Sequence, residues 1–280
     1  MELHIAPKCD VIGYDKVKPY ITDAFEYQIL GDDFNVDLEK IKRIVLDNPG
    51  LTTLVVHENL HACGIEKVFC KVERYTEIFN KFADLKNELK EQGRKLDISL
   101  LLHAPKVEWS TSFEMKEFIC SLKSMVESTG IGLLIENPSN ISKFDSAHAA
   151  IKFVHTLRID GCKLCLDICH AEMSATVLAN RNGISLEEAR RILFPAEEVK
   201  PILGWVHFSR MVSDGHGMNH SVACSNSDEV AKLVEKYDYL GLKSVTLCME
   251  VLEPDGYEER AAEITQIKSI MEYNKKGGID

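Results

Sequence analysis

Six short apolar runs in this chain each end in a residue able to ligate a metal ion. LTTLVVH ends at His57, ISLLLH at His103, IGLLIE at Glu136, LCLD at Asp167, ILGWVH at His207 and VTLCME at Glu250. Short apolar runs of this length read as buried strands. Each would therefore carry its last side chain to the rim of a sheet. Chance scatters His, Asp and Glu; it does not keep setting them at strand ends. Three residues after Asp167 comes His170, so the sixth strand delivers a carboxylate and an imidazole to the same rim.

The runs belong to a longer rhythm. Strands are expected at 3–7, 23–30, 52–57, 98–103, 132–136, 164–167, 203–208 and 244–251. Helical periods lie between them, at 36–47, 74–94, 112–128, 144–157, 186–194, 227–240 and 257–274, with a short helical piece at 14–21. Thr111 with Glu114, and Ser185 with Glu188, form capping boxes that open two helices, and Gly130 and Gly241 follow helix ends. Eight βα units in about 250 residues is the rhythm of a (β/α)₈ TIM barrel. A doubly wound sheet would carry a glycine-rich first turn, which the sequence lacks. The expectation is one barrel domain over 1–280, with 274–280 as a frayed tail. In such a barrel the C-terminal strand ends converge on one face, where sites are built. The mixture of imidazoles and carboxylates there suits Zn²⁺ or Mn²⁺. The loop after strand seven adds Asp214 and His216 to the set.

Composition narrows the classes. With 280 residues, 45% of them apolar, the chain can bury a large core. No apolar run approaches the roughly 20 residues of a membrane span, and no signal peptide is legible in MELHIAPKCD. Nine cysteines, several inside apolar runs, read as free buried thiols in a cytoplasmic protein. A net charge of −11 argues against a generally basic nucleic-acid surface, though not against a local groove. No protein partner is evident.

With those residues in place, the chain resembles endonuclease IV, the zinc-dependent apurinic/apyrimidinic endonucleases within the xylose isomerase-like barrel superfamily. The likeness runs from the third strand to the last helix. LLIENP, CLDICHA and LCMEV with YEERAAEITQIKSI carry it. The resemblance implies two to three Zn²⁺ per chain, or another divalent ion such as Mn²⁺. By position, a first zinc would take His57, His103 and Glu136. A second would share Glu136 and add Asp167, His207 and Glu250. A third would take His170, Asp214 and His216. Glu136 and Glu250 are the candidate catalytic groups. Arg210 is the candidate phosphate clamp, with Lys106 behind it, and His4 and His220 are candidate substrate contacts. The implied activity is cleavage of duplex DNA at an abasic site by metal-activated water. One-metal sugar or sugar-phosphate isomerases and epimerases of the same superfamily also carry the Glu136, Asp167, His207, Glu250 quartet, which makes them the alternative, with a small phosphorylated sugar as substrate. A non-catalytic metal- or ligand-binding barrel is the third class. After His207 this chain reads Phe-Ser-Arg210 where both enzyme branches usually carry an acidic residue, and the loop GDDFN is acidic where the endonucleases carry basic and aromatic residues.

Each residue also has a plainer reading. A lone strand-end His is more often structural, so the weight falls on the set rather than on His57 alone. His61 follows strand three into its loop. His148 and His155 lie on a helical pattern and read as structural. Strand alternation points Cys162, Cys165 and Cys169 in different directions, which disfavours a thiolate site.

Overall fold

A strand covered on both faces is apolar along its whole length, because neither face meets water. In the computed structural model, which describes residues 1–9, 12–29, 34–57, 72–104, 113–138, 145–213, 218–254 and 256–277, the apolar runs become one parallel sheet. Its strands are β1 (Glu2–Ala6), β2 (Lys8–Cys9), β3 (Ala24–Gln28), β4 (Thr53–His57), β5 (Asp97–His103), β6 (Gly132–Glu136), β7 (Cys162–Asp167), β8 (Leu203–Phe208) and β11 (Ser244–Met249). Their order is β1-β11-β8-β7-β6-β5-β4-β3-β2. The two ends of that order are one stretch of chain interrupted at Pro7, which has no N–H to give to a ladder. β1 pairs with β11 and β2 pairs with β3, all in parallel, so the sheet closes round on itself. Eight parallel strands with helices between them form a (β/α)₈ barrel.

The helices of eight residues or more, among the described residues, are α1 (Phe34–Asp47), α2 (Val72–Glu91), α3 (Phe113–Thr129), α4 (Asp145–Leu157), α5 (Ile168–Asn182), α6 (Leu186–Leu193), α7 (Ser227–Glu235) and α8 (Ala261–Lys275). Several elements differ from the sequence expectation. α5 follows β7 without a loop, and β9 (Arg210–Ser213) pairs with β10 (Met218–Val222) as an antiparallel hairpin beyond β8. The last helix starts at Ala261 rather than 257, because Arg260 adopts a left-handed φ of 48° that a helix cannot include.

The core has two compartments. The larger one lies between sheet and helices and holds Phe25, Tyr27, Phe79, Phe82 and Phe118, among others. The smaller one fills the barrel: Ala6, Ala24, Val55, Leu101, Leu134, Cys165, Trp205 and Cys248, one residue from each of the eight strands. Side chains alternate along a strand, so the residue two positions on faces the same way. Two positions on from these eight stand Lys8, Glu26, His57, His103, Glu136, Asp167, His207 and Glu250. The alternation that packs the barrel interior therefore also stacks a polar layer on its C-terminal end.

Candidate metal centre

The polar layer is dense and mostly dry. Glu136 and His207 are fully buried, and His57 and Asp167 nearly so. The side chains of His103, His170 and Glu250 keep 12%, 13% and 25% of their exposure, which marks the side from which the site is reached.

Glu136 stands in the middle. Its Oε2 lies 3.4 Å from His57 Nε2 and 3.2 Å from His103 Nε2. Its Oε1 lies 3.4 Å from His207 Nδ1 and 3.4 Å from His170 Nδ1. Each of its oxygens thus faces a different pair of imidazoles. His207 Nδ1 also meets Glu250 Oε2 in close contact and lies 3.8 Å from Asp167 Oδ2.

Local structure explains where Asp167 and His170 sit. Asp167 is the last residue of β7 and the N-cap of α5: its Oδ1 accepts from the backbone N–H of His170 at 2.6 Å. A carboxylate in that position satisfies an otherwise unpaired N–H of the first turn. Asn137 ties the neighbouring strand end to it. Its Nδ2 donates to the Asp167 carbonyl at 3.0 Å, and its Oδ1 accepts from the Asp167 N–H at 2.7 Å. His170 Nδ1 lies 3.0 Å from the Asn137 carbonyl oxygen.

Two members of the layer are invisible to a reading that looks for ligand residues at strand ends. Glu26 sits in the middle of β3, and Lys8 follows Pro7. Lys8 Nζ donates to Glu250 Oε1 at 2.7 Å and pairs with Glu26 Oε1 at 3.1 Å. Glu26 also meets His57 Nδ1 at 2.9 Å, Trp205 Nε1 at 2.7 Å and His207 Nε2 at 3.0 Å. An alternating pattern carried inward from Ala24 would have exposed Glu26 as a charge inside the barrel.

Burial works against every charge here, and the neighbours decide the outcome. For Glu136, burial favours the neutral acid, but His103 and His207 override it and hold the carboxyl well below its usual range. Burial, with help from the carboxylates of Glu250 and Glu136, pushes Asp167 up to about 7 against the pull of His170. Burial alone would lower His170, yet Asp167 and Glu136 raise it to about 10. Burial wins at His103 and lowers it to about 4.

The donor set fits a divalent ion. His57 Nε2 and both oxygens of Glu136 are buried and have no hydrogen-bond partner, and His207 Nδ1 and Glu250 Oε2 are buried against each other. Unpaired buried polar atoms are costly and rare, and these converge. Ligand atoms of Glu136, Asp167, His207 and Glu250 lie within 4.8 Å of one another, as do those of His57, Glu136 and His207.

The other sequence candidates fall elsewhere. His4 lies on the same inward row as Lys8 but four residues earlier, roughly 13 Å down the strand. It lines a cavity of about 480 Å³ with Lys200, Gly204, Ser244 and Thr246, at the opposite end of the barrel. That places it away from the polar layer. Arg210 is engaged on β9: its guanidinium donates to Glu229 at 2.9 Å and to the Ala223 carbonyl at 3.1 and 3.0 Å. These contacts pin the hairpin to α7. His220 is in β10, and its side chain lies outside the described residues, as do Asp214, His216, His61 and Lys106 entirely. His148 is on α4, with Nδ1 3.4 Å from the Leu193 carbonyl oxygen.

No family model matches the chain, and no curated protein does. Solved structures do. A xylose isomerase domain containing protein from Salmonella typhimurium LT2 aligns over 96% of each chain at 14% identity, with a TM-score of 0.54. A xylose isomerase-like TIM barrel/4-hydroxyphenylpyruvate dioxygenase fusion protein matches all of this chain with 45% of its own, at 10% identity and a TM-score of 0.50. Both similarities concern the fold. This chain has the fold of the xylose isomerase-like TIM barrels.

Proposed function

We propose that this protein is a metal-dependent phosphoester hydrolase of the endonuclease IV kind, with abasic duplex DNA as the first substrate to test. The observation that carries the reading is Glu136, whose two unpaired oxygens turn to two different groups of nitrogen ligands. A carboxylate shared by two ions needs that arrangement, and a site for one ion does not. His57 and His103 would hold one ion with Glu136, and Asp167, His207 and Glu250 the other. Bound divalent ions would supply charge for a phosphate and activate water at neutral pH. The chain's own residues do the rest. His103 and His207 keep Glu136 ionised. Lys8 holds Glu250 by Oε1 and leaves Oε2 turned inward.

A second reading has its own support. The quartet Glu136, Asp167, His207 and Glu250 is complete in itself, with ligand atoms within 4.8 Å. One ion there, with Glu136 and Glu250 flanking a sugar, would serve an isomerase or epimerase of a small phosphorylated sugar. The two are separated by incubating metal-replete protein with abasic duplex at low salt. The hydrolase reading expects a nick on the 5′ side of the lesion, abolished by a strong chelator. Absence of the nick, together with ketose–aldose or epimer interconversion at one bound ion, replaces it with the isomerase reading.

A further inference from the structure

We propose that Glu26 is the positioning residue that leaves His57 Nε2 and His207 Nδ1 free to bind metal, so that one buried carboxylate prepares ligands on both sides of Glu136. The inference rests on the metal-centre reading above and assigns a role to a residue outside the ligand set.

Glu26 is fully buried, and each of its oxygens meets two neighbours. Oε1 faces His57 Nδ1 at 2.9 Å and Lys8 Nζ at 3.1 Å. Oε2 faces Trp205 Nε1 at 2.7 Å and His207 Nε2 at 3.0 Å. An ionised carboxylate only accepts, at about four positions, while ammonium and indole N–H only donate. Each imidazole nitrogen turned to Glu26 must therefore carry its hydrogen there. That makes His57 the Nδ1–H tautomer and His207 the Nε2–H tautomer, opposite choices imposed by one group. Of the nitrogens turned away from Glu26, His57 Nε2 lies buried without a hydrogen-bond partner, and His207 Nδ1 lies among the carboxylates of Glu250, in close contact, Asp167 and Glu136, the groups that would share an ion with it. The two nitrogens stand 3.4 Å from Oε2 and 3.4 Å from Oε1 of Glu136, respectively. Lys8 Nζ also approaches His57 Nδ1 at 2.9 Å. It already has carboxylate acceptors in Glu26 and in Glu250 at 2.7 Å, so it has no need of that lone pair.

Glutamine cannot reproduce this. Its amide nitrogen would face either the Lys8–His57 pair or the Trp205–His207 pair, and would set donor against donor. Lysine and tryptophan cannot yield by giving up a hydrogen. One histidine then moves its hydrogen to the nitrogen that faces Glu136 and ceases to be a ligand there. Carboxylates that orient ligand imidazoles typically change metal affinity by about 10–100-fold when removed.

The test is zinc affinity of the full chain by competition with a chromophoric chelator, for wild type and Glu26→Gln. Thermal melting of each serves as the folding control. It is paired with histidine-selective ¹⁵N spectra of the zinc-loaded protein, the form in which an ion occupies His207 Nδ1. The proposal expects slowly exchanging hydrogens on His57 Nδ1 and His207 Nε2 in wild type. In Glu26→Gln it expects loss of one of them and about 10–100-fold weaker zinc at a retained fold. Wild-type protein that binds no zinc overturns the metal reading and this proposal with it. Wild type that binds zinc while a folded Glu26→Gln binds equally well overturns the role of Glu26 alone. Should the variant not fold, the wild-type spectra decide: a hydrogen on His57 Nε2 or His207 Nδ1 overturns the proposal.

Discussion

Glu136 is a buried anion surrounded by nitrogen: four imidazoles lie within 3.4 Å of its two oxygens. His103 and His207 hold its carboxyl ionised against burial, so its charge is what the layer is arranged to receive. Its value is functional. Glu136→Gln keeps the size of the side chain and removes the charge. We expect it to abolish turnover while circular dichroism still shows a folded barrel. His148→Ala, on α4 with Nδ1 near the Leu193 carbonyl oxygen and away from the polar layer, serves as the control and should leave kcat unchanged. Wild-type rates in Glu136→Gln would remove the shared-ligand role.

At the scale of elements, the strand ends were legible and the connections less so. The strand runs could be read because each is short, continuously apolar and closed by a polar residue at the barrel mouth. Helix α5 could not be read from a stripe. Its buried residues include Ile168, Cys169, Ala171, Glu172, Met173, Ser174, Ala175, Leu178 and Ala179, which cover more than one face and mix small, polar and apolar types. A helix enclosed on several sides loses the amphipathic period by which helices are recognised. Asp167 and His170 looked like a strand end and a loop residue; they are an N-cap and the third residue of the first turn. Glu26 and Lys8 escaped notice because neither closes an apolar run. Their direction follows only from the alternation that starts at Ala24 and Ala6.

Glu172 on α5 also ties elements together. Its carboxylate accepts from Arg190 of α6, at 2.9 Å for Nη2, from Lys236 at 3.0 Å and from the Tyr237 hydroxyl at 3.0 Å. Burial opposes the charge, but Arg190 and Lys236 outweigh it and hold the carboxyl below its ordinary value of 4.5. Removing one partner of a buried pair leaves the other uncompensated, at a cost of about 3–5 kcal/mol. Glu172→Gln should therefore lower stability at pH 7 by an amount of that order. The sign with pH follows from the depressed value. The stabilisation is fully present above 4.5 and is lost as pH falls towards the folded value, because the unfolded chain takes up the proton first. Urea titrations should show the gap between wild type and variant closing below about pH 4.5. A gap that stays constant down to pH 3 would contradict the ionic account of this contact.

At the scale of the molecule, the barrel concentrates charge at one end. Its C-terminal layer holds the carboxylates of Glu26, Glu136, Asp167 and Glu250 against the ammonium of Lys8 and the imidazoles of His57, His103, His170 and His207, in a chain whose net charge is −11. Bound divalent ions would balance such a layer. The acid-rich loop with Asp32 and Asp33 lies outside the described residues, as do two of the three ligands expected for a third ion, Asp214 and His216. None of the helices is long and apolar enough to cross a membrane among the described residues. The central claim, a carboxylate shared between ions at the barrel mouth, is tested most directly by elemental analysis of untreated protein, expressed as metal per chain at measured activity. The account predicts two to three zinc-class ions per chain, with activity lost in proportion as they are removed. A single ion per chain at full activity would contradict it.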